Sequence, residues 1–254
     1  MQKIIPGNCV IAFLFCTSFC IPSFSQFKVS AITYSNQKDH NKFSFPLVQG
    51  SNKTVTEKIN HFLQSEILEC TTKEVSQKKL FDKIRYISGD DSLSQSGYNS
   101  ISYEVIQNTQ HLFSLAFELE GTGAYTTYWR QYFNFETQTG KLITAESLFT
   151  KSGLEKVQTL LTKKRDTLIK EWIAEMDTSY EGSIGDSIWI RETFDNCNKD
   201  ADINNLSISK TFILFHKGTC FPHVAGPYET DLDIKLSIKY LLPYLSPTGR
   251  KLVQ

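Results

Sequence analysis

"ISYEVIQNTQHLFSLAFELEGTGAYTTYWRQYFNF", residues 101–135, decides the fold. β-Branched and aromatic residues dominate it, and the polar breaks Asn108-Thr109-Gln110 and Gly121-Thr122-Gly123 divide it. The three runs read as strands over Ile101–Gln107, His111–Leu119 and Thr127–Phe135. Connections this short join antiparallel neighbours, because a parallel pair needs a crossover of about a dozen residues. The stretch therefore predicts a meander. Its continuation, ETQTGKLI, turns at Gly140 and rejoins the sheet for two residues.

Upstream, Phe27–Tyr34 alternates loosely as an opening strand, and Phe43–Phe45 is a second, short one running into Pro46. Thr54 and Glu57 have capping-box spacing, and Val55, Ile59, Phe62, Leu63 and Ile67 follow at helical spacing toward Cys70. The polar region 71–100 holds a short strand or helix around Leu80–Ile87. Downstream, Ser152 with Glu155 opens a second capping box. The stripe Leu154, Val157, Leu160, Leu161, Leu168, Ile169, Trp172, Ile173 and Met176 predicts a long amphipathic helix. Trp172 and Met176 read as core, and the basic run Lys163-Lys164-Arg165 as the solvated face of that helix.

Residues 178–206 are rich in Gly, Ser, Asp and Asn and form an irregular connection. Ser207–Phe215 reads as a strand. In TDLDIKLSI, residues 230–238, Leu232, Ile234, Leu236 and Ile238 alternate with polar neighbours, which predicts a strand with one wet face. Tyr240–Leu245 closes the chain as a short helix. The expectation is an α+β fold, antiparallel meander sheets packed against two amphipathic helices. Residues 26–148 form an N-terminal α+β subdomain and 149–254 a C-terminal one, packed as a unit.

Residues 1–25 read as an export signal: Lys3, an apolar run from Val10 to Ile21, and the small-x-small site Ser23-Phe24-Ser25. The run is too short to span a bilayer, which takes about 20 apolar residues. Cys16 and Cys20 each follow a phenylalanine, where lipoprotein processing wants a small residue. The expected product is periplasmic or secreted, without a membrane span. The chain carries 27 basic and 27 acidic residues, and the leader removes only Lys3. No basic stripe announces nucleic-acid binding. Of the cysteines beyond the leader, Cys197 in a polar loop and Cys220 beside a strand are the expected disulfide, with Cys70 a buried thiol at a helix end.

His216, Cys220 and His223 raise the question of a metal, but their spacing matches no zinc pattern. Gly218, Pro222, Gly226 and Pro227 instead predict a chain reversal between two strands. DADINN, residues 200–205, begins like a calcium loop, yet Asn205 replaces the glycine and Thr211 the glutamate such a loop needs. Glu118 with Glu120 and Asp231 with Asp233 occupy alternate strand positions about 7 Å apart, near glycosidase spacing, as polar strand faces commonly do. EGSIG is not a nucleophile elbow, GTGAYT is not a dinucleotide loop, and no H-E-x-x-H occurs. No cofactor is implied. Alternation places Tyr128, Arg130, Tyr132 and Asn134 on one face of the third strand and Trp129, Gln131, Phe133 and Phe135 on the other. Tyr125, Tyr128, Arg130 and Tyr132 are the candidate recognition surface, since Tyr and Arg combine contact area with hydrogen-bonding ends.

The order of segments resembles a bacterial extracytoplasmic family of uncharacterised function. Its paired domains occur in the lysozyme-binding ectodomain of an anti-sigma factor and in the non-catalytic part of a peptidoglycan deacetylase. The phrase around the family's Gly-Lys turn is matched by Asn134, Phe135, Thr139, Gly140, Lys141, Leu142 and Phe149. Its small-small-Ala-His turn corresponds to Gly121–Tyr125, with Tyr125 where the family has histidine, and its Pro/Gly corner to Cys220–Gly226. The resemblance implies an α+β fold, a binding or sensing role in the cell envelope with a glycan or a lysozyme-like protein as partner, and no catalytic residues. The alternative is an envelope hydrolase or esterase acting on peptidoglycan or acetylated sugars through Asp231, Asp233, Glu118 or Glu120.

Overall fold

The computed structural model describes residues 27–35, 42–70, 77–88, 98–122, 126–179, 188–189, 191–193, 195–196, 203–218, 220 and 231–253. The expected leader, Tyr125, Cys197, His223 and the prolines of the Pro/Gly corner lie outside the described residues. Strands β1 (Lys28–Ser35), β2 (Lys42–Gln49), β3 (Tyr98–Asn108), β4 (Leu112–Thr122) and β5 (Thr126–Glu136) form one five-stranded sheet in chain order. The meander of β3, β4 and β5 is present, antiparallel throughout. Only β2 and β3 run parallel, meeting at the single bridge Phe43↔Ile101.

β2 is longer than Phe43–Phe45 and passes through Pro46, which pairs with Ala31. The strand tolerates a residue without an N–H because its other edge carries little ladder. Farther along that edge a side chain takes the place of a strand. The Asn60 amide accepts from the Val48 N–H at 2.8 Å and donates to the Val48 carbonyl at 2.8 Å.

Helices α1 (Lys53–Leu68) and α2 (Gln77–Ile87) cover one face of this sheet. Odd-numbered residues of the meander (Ile101, Phe113, Leu115, Phe117, Leu119, Phe133 and Phe135) pack there against Ile59, Leu63, Ile67, Leu80 and Ile84. The capping box expected at Thr54 and Glu57 is not the cap. Asn52 accepts from the Val55 N–H at 3.3 Å, so the helix starts earlier and Thr54 lies inside its first turn. α1 ends at Glu69 with φ 52°, and the Cys70 N–H turns back to the Gln64 carbonyl at 3.1 Å.

The second layer contains α3 (Ala145–Leu148), α4 (Lys151–Ser179), a three-stranded antiparallel sheet of β6 (Leu206–Ile208), β7 (Phe212–Phe215) and β8 (Ile234–Ser237), then α5 (Ile238–Leu241) and α6 (Pro247–Leu252). The single strand expected over Ser207–Phe215 is a hairpin. Ser209 turns the chain, its N–H bonding to the Phe212 carbonyl at 3.0 Å while its hydroxyl accepts from the Phe212 N–H at 3.2 Å. β8 is shorter than the strand expected over 230–238, since Ile238 opens α5, but it keeps the alternation, with Ile234 and Leu236 buried and Lys235 and Ser237 exposed. β7 and β8 are antiparallel neighbours, so the chain reverses between them as the Pro/Gly content requires.

The expected cap at Ser152 is likewise displaced: the Thr150 hydroxyl accepts from the Gly153 N–H at 3.0 Å. Glycine is required at 153 because a Cβ there would lie 2.2 Å from the Tyr244 carbonyl oxygen. Val157, Leu161, Ile169 and Ile173 form the buried stripe of α4. Arg165 falls in the same stripe and is only 2% exposed, so the expectation of a solvated Lys163-Lys164-Arg165 face holds for the two lysines alone. Among the described residues no helix is long and apolar enough to cross a membrane.

The small sheet lies against the other, even-numbered face of the meander. Asn134, 1% exposed, donates to the Leu206 carbonyl at 2.7 Å, while its oxygen accepts from the Ile208 N–H at 3.3 Å and the Ser114 hydroxyl at 2.7 Å. Asn205 reciprocates, donating to the Arg130 carbonyl at 3.1 Å and accepting from the Tyr132 N–H at 3.0 Å. Replacing Asn134 with Ala leaves three buried groups without partners, and urea unfolding should show a loss of about 3 kcal/mol. Cys70 is a free, buried thiol whose pKa burial pushes up. Thiolate is therefore scarce, and a thiol reagent at neutral pH should label Cys70 only on the timescale of unfolding.

Candidate functional site

The small sheet covers only one end of the even-numbered face. Ser114, Ala116, Tyr132 and Asn134 are buried beneath it, whereas Glu118, Tyr128 and Arg130 beyond them are not. The register aligns the open end in two rows: Ser100, Glu120 and Tyr128 across β3, β4 and β5, then Ser102, Glu118 and Arg130. Together with Leu119, Trp129, His216, Lys217, Gly218 and Asp231 these residues line a cleft of about 740 Å³. One wall therefore belongs to the meander and the other to the segments flanking β7 and β8.

On the meander wall every charge is held. Glu120 accepts from the Tyr128 hydroxyl at 3.3 Å, from Asn99 at 3.3 Å and from the Ser100 hydroxyl at 3.1 Å. Arg130 donates to Glu104 at 2.9 Å and lies 3.8 Å from Glu118, which the Ser102 hydroxyl also reaches at 3.4 Å. Ala116, between Glu104 and Tyr132 in the register, leaves room for the guanidinium to cross diagonally. The group also stacks 5.3 Å from the Tyr132 ring centre. Tyr128 is 64% exposed, yet the neighbouring Glu120 carboxylate raises the pKa of its phenol by disfavouring the phenolate.

The facing wall is organised by Asp233. Its carboxylate accepts from the Lys217 N–H at 2.9 Å and lies 2.7 Å from His216 Nδ1, and its own N–H bonds to Asp231 at 2.9 Å. Behind it, Arg165 donates from Nε to the Leu232 carbonyl at 3.2 Å and from a terminal nitrogen to the Phe215 carbonyl at 3.5 Å. Burial pulls the Arg165 pKa down, and the Asp233 charge opposes that. The helix thus fixes the residues immediately before His216 and Asp233.

Of the expected surface, Tyr128 and Arg130 stand in the cleft. Tyr132, at 5% exposure, lies behind the wall, between Arg130 and the His216 ring at 5.6 Å, because the small sheet covers that end of the face. Tyr125 lies outside the described residues. The carboxylate residues Glu118, Glu120 and Asp231 line the same cleft, a juxtaposition that strand alternation alone does not reveal. The pairing of Glu120 with Tyr128 alone was readable in principle: the three residues between Thr122 and Thr126 imply the register that sets them side by side. Arg165 and Asn205 carried no such local signal.

Among the described residues no group of three or more His, Cys, Asp or Glu side chains converges as a metal site. His216 Nδ1 is committed to Asp233, and Asn204 and Asn205 of the calcium-like loop accept from the N–H groups of Ala145 and Tyr132. No disulfide joins two described cysteines: Cys70 is free, Cys220 is disulfide-bonded, and Cys197 lies outside the described residues.

No protein-family model matches the chain, and no curated protein matches it. Solved structures do. The chain is similar to a member of the DUF3298 family from Bacteroides fragilis NCTC 9343, with 12% identity and a TM-score of 0.57 over 89% of this chain and 96% of that one. It is also similar to a DUF3298 family protein from Pseudomonas aeruginosa PAO1, with 10% identity and a TM-score of 0.52 over 88% and 95% of the two chains. At these identities the likeness is one of fold, and the chain has the α+β architecture of these bacterial domains of unknown function.

Replacing Glu120 with Gln removes the carboxylate charge beside Tyr128. The Tyr128 phenol should then titrate at lower pH than in the unmodified protein, as followed by NMR or ultraviolet absorbance.

Proposed function

We propose that the protein is an exported binding or sensing module of the bacterial cell envelope, periplasmic or secreted. It recognises a wall glycan or a lysozyme-like protein through the cleft at Tyr128. One observation carries this reading: a large aromatic side chain stands in solvent at 64% exposure while a partner, Glu120, holds its hydroxyl, and Arg130 beside it is fixed by Glu104 and Glu118. An exposed tyrosine and arginine held in place lose little freedom on contact with a ligand. The leader-like residues 1–25 and the fold likeness to bacterial domains of unknown function support an envelope setting. The resemblance to the lysozyme-binding ectodomain of an anti-sigma factor and to the non-catalytic part of a peptidoglycan deacetylase suggests the ligands. An oxidising compartment also favours pairing of Cys197 with Cys220.

Calorimetry with soluble peptidoglycan fragments and with lysozyme tests the reading. At least one should bind, and Tyr128→Ala should weaken it by about ten-fold with unfolding unchanged. Failure of the unmodified protein to bind either ligand would sink the proposal. The placement of Glu118, Glu120 and Asp231 on the lining of one cleft is the observation behind the hydrolase or esterase as a second reading. Release of sugar or acetate by the pure protein, abolished in Glu118→Gln or Asp231→Asn, would establish that instead.

A further inference from the structure

We infer that the outer edge of β5 at Tyr128 is a strand-addition site for an extended, lysine- or arginine-bearing segment of a protein partner. The inference rests on the reading of the cleft as a recognition site and names the kind of ligand it takes.

The β4–β5 register is unbroken from Leu112↔Glu136 to Thr122↔Thr126, so the parity of the backbone groups is constant along β5. Even-numbered residues face away from β4. The Glu136 N–H donates to the Lys141 carbonyl at 2.9 Å, the Asn134 carbonyl accepts from the Ile143 N–H at 2.8 Å, and Tyr132 and Arg130 engage the Asn205 amide at 3.0 and 3.1 Å. The chain thus covers its own edge at these four groups, the last of them the Arg130 carbonyl. The next groups in line, the Arg130 N–H and both the N–H and carbonyl of Tyr128, have no partner among the described residues.

Sheet edges are ordinarily blunted by lysine, proline or a bulge. Thr126-Thr127-Tyr128-Trp129 has none of these, and its residue types favour strand pairing. Both faces are open as well: Thr127, Tyr128 and Trp129 are exposed in succession, where a covered strand would alternate. Alternation sends the Tyr128 and Trp129 side chains to opposite sides of the strand, the Trp129 ring 5.7 Å from that of Tyr98, so the two aromatics flank whatever pairs with the edge. An alternating row of free N–H and carbonyl groups is complementary to another extended backbone.

Charge selects the side chains. Glu104 and Glu118 are 66% and 64% exposed, Glu120 lies beside them, and the one cation of this wall, Arg130, is already shared by Glu104 and Glu118. An added strand would lie two strand spacings, roughly 10 Å, from β4, within reach of a lysine or arginine extended across Tyr128 to Glu118 or Glu120.

The test measures amide exchange at Tyr128 and Arg130 by NMR on the full chain. The probes are a capped eight-residue peptide of alternating Lys and Val, its Glu/Val counterpart, and a soluble peptidoglycan fragment. The Lys/Val peptide should bind saturably and slow exchange at both amides at least ten-fold, and the Glu/Val peptide should not. Tyr128→Pro removes the outward N–H where an edge tolerates proline, and it should bind the Lys/Val peptide at least ten-fold more weakly than Tyr128→Ala. The protection measured on the unmodified protein decides the matter even where the proline variant misfolds. No binding of the Lys/Val peptide, or binding without protection of these amides, overturns strand addition. Binding of the sugar fragment alone, with both amides still exchanging freely, overturns it while leaving the recognition reading intact. Silence toward the peptide, the sugar and lysozyme removes both.

Discussion

Two asparagine side chains hold the two sheets together. A carboxamide is neutral and sets a donor NH2 beside an acceptor oxygen at about the spacing of peptide groups, so it can complete a backbone edge without a strand. Asn134 reaches from β5 to the Leu206 carbonyl and Ile208 N–H of β6, and Asn205, just before β6, reaches back to the Arg130 carbonyl and Tyr132 N–H of β5. Each satisfies polar groups that the interface would otherwise strand. The same device recurs where Asn60 meets Val48 and where Asn108 bonds both to the N–H and to the carbonyl of Phe27. Aspartate would lose the donor, and leucine both partners.

That clasp decides where the site can be. It seats the small sheet over Ser114, Ala116 and Asn134 and stops at Tyr132, so the polar residues one turn of the pleat farther on stay in water. The opposite wall is set from behind. Arg165 of α4 binds the carbonyls of Phe215 and Leu232, the residues that precede His216 and Asp233. A guanidinium is suited to this because it spreads several donors in one plane and keeps its charge when buried. The cleft therefore has one wall fixed by a β-hairpin register and another by a helix that never touches solvent at that point.

Much of this was legible in residue pattern, and the exceptions share a cause. The meander, the alternation of Leu232–Ile238 and the stripes of α1 and α4 are local periodicities, and local periodicity survives in the structure. Both caps lie two residues earlier than the capping boxes suggest because Asn52 and Thr150 serve as well as Thr54 and Ser152. Ser207–Phe215 looked continuous because its turn is made by Ser209, whose role depends on a side-chain bond. Arg165 sits where the α4 stripe demands an apolar residue; its charge suggested solvent, and only the carbonyls arriving from β7 and the segment before β8 explain its burial. Tyr132 and Tyr128 share one face of one strand, yet one is buried and the other open, a difference created by a distant part of the chain.

Because the two walls of the cleft belong to different sheets, its width is a readout of how those sheets are seated. A molecule gripping Tyr128 on one side and Asp231 on the other would tighten the asparagine clasp by the same free energy with which an intact clasp strengthens its own binding. For any ligand whose affinity depends on the width of the cleft, occupancy at the surface and cohesion of the interior would be reciprocal.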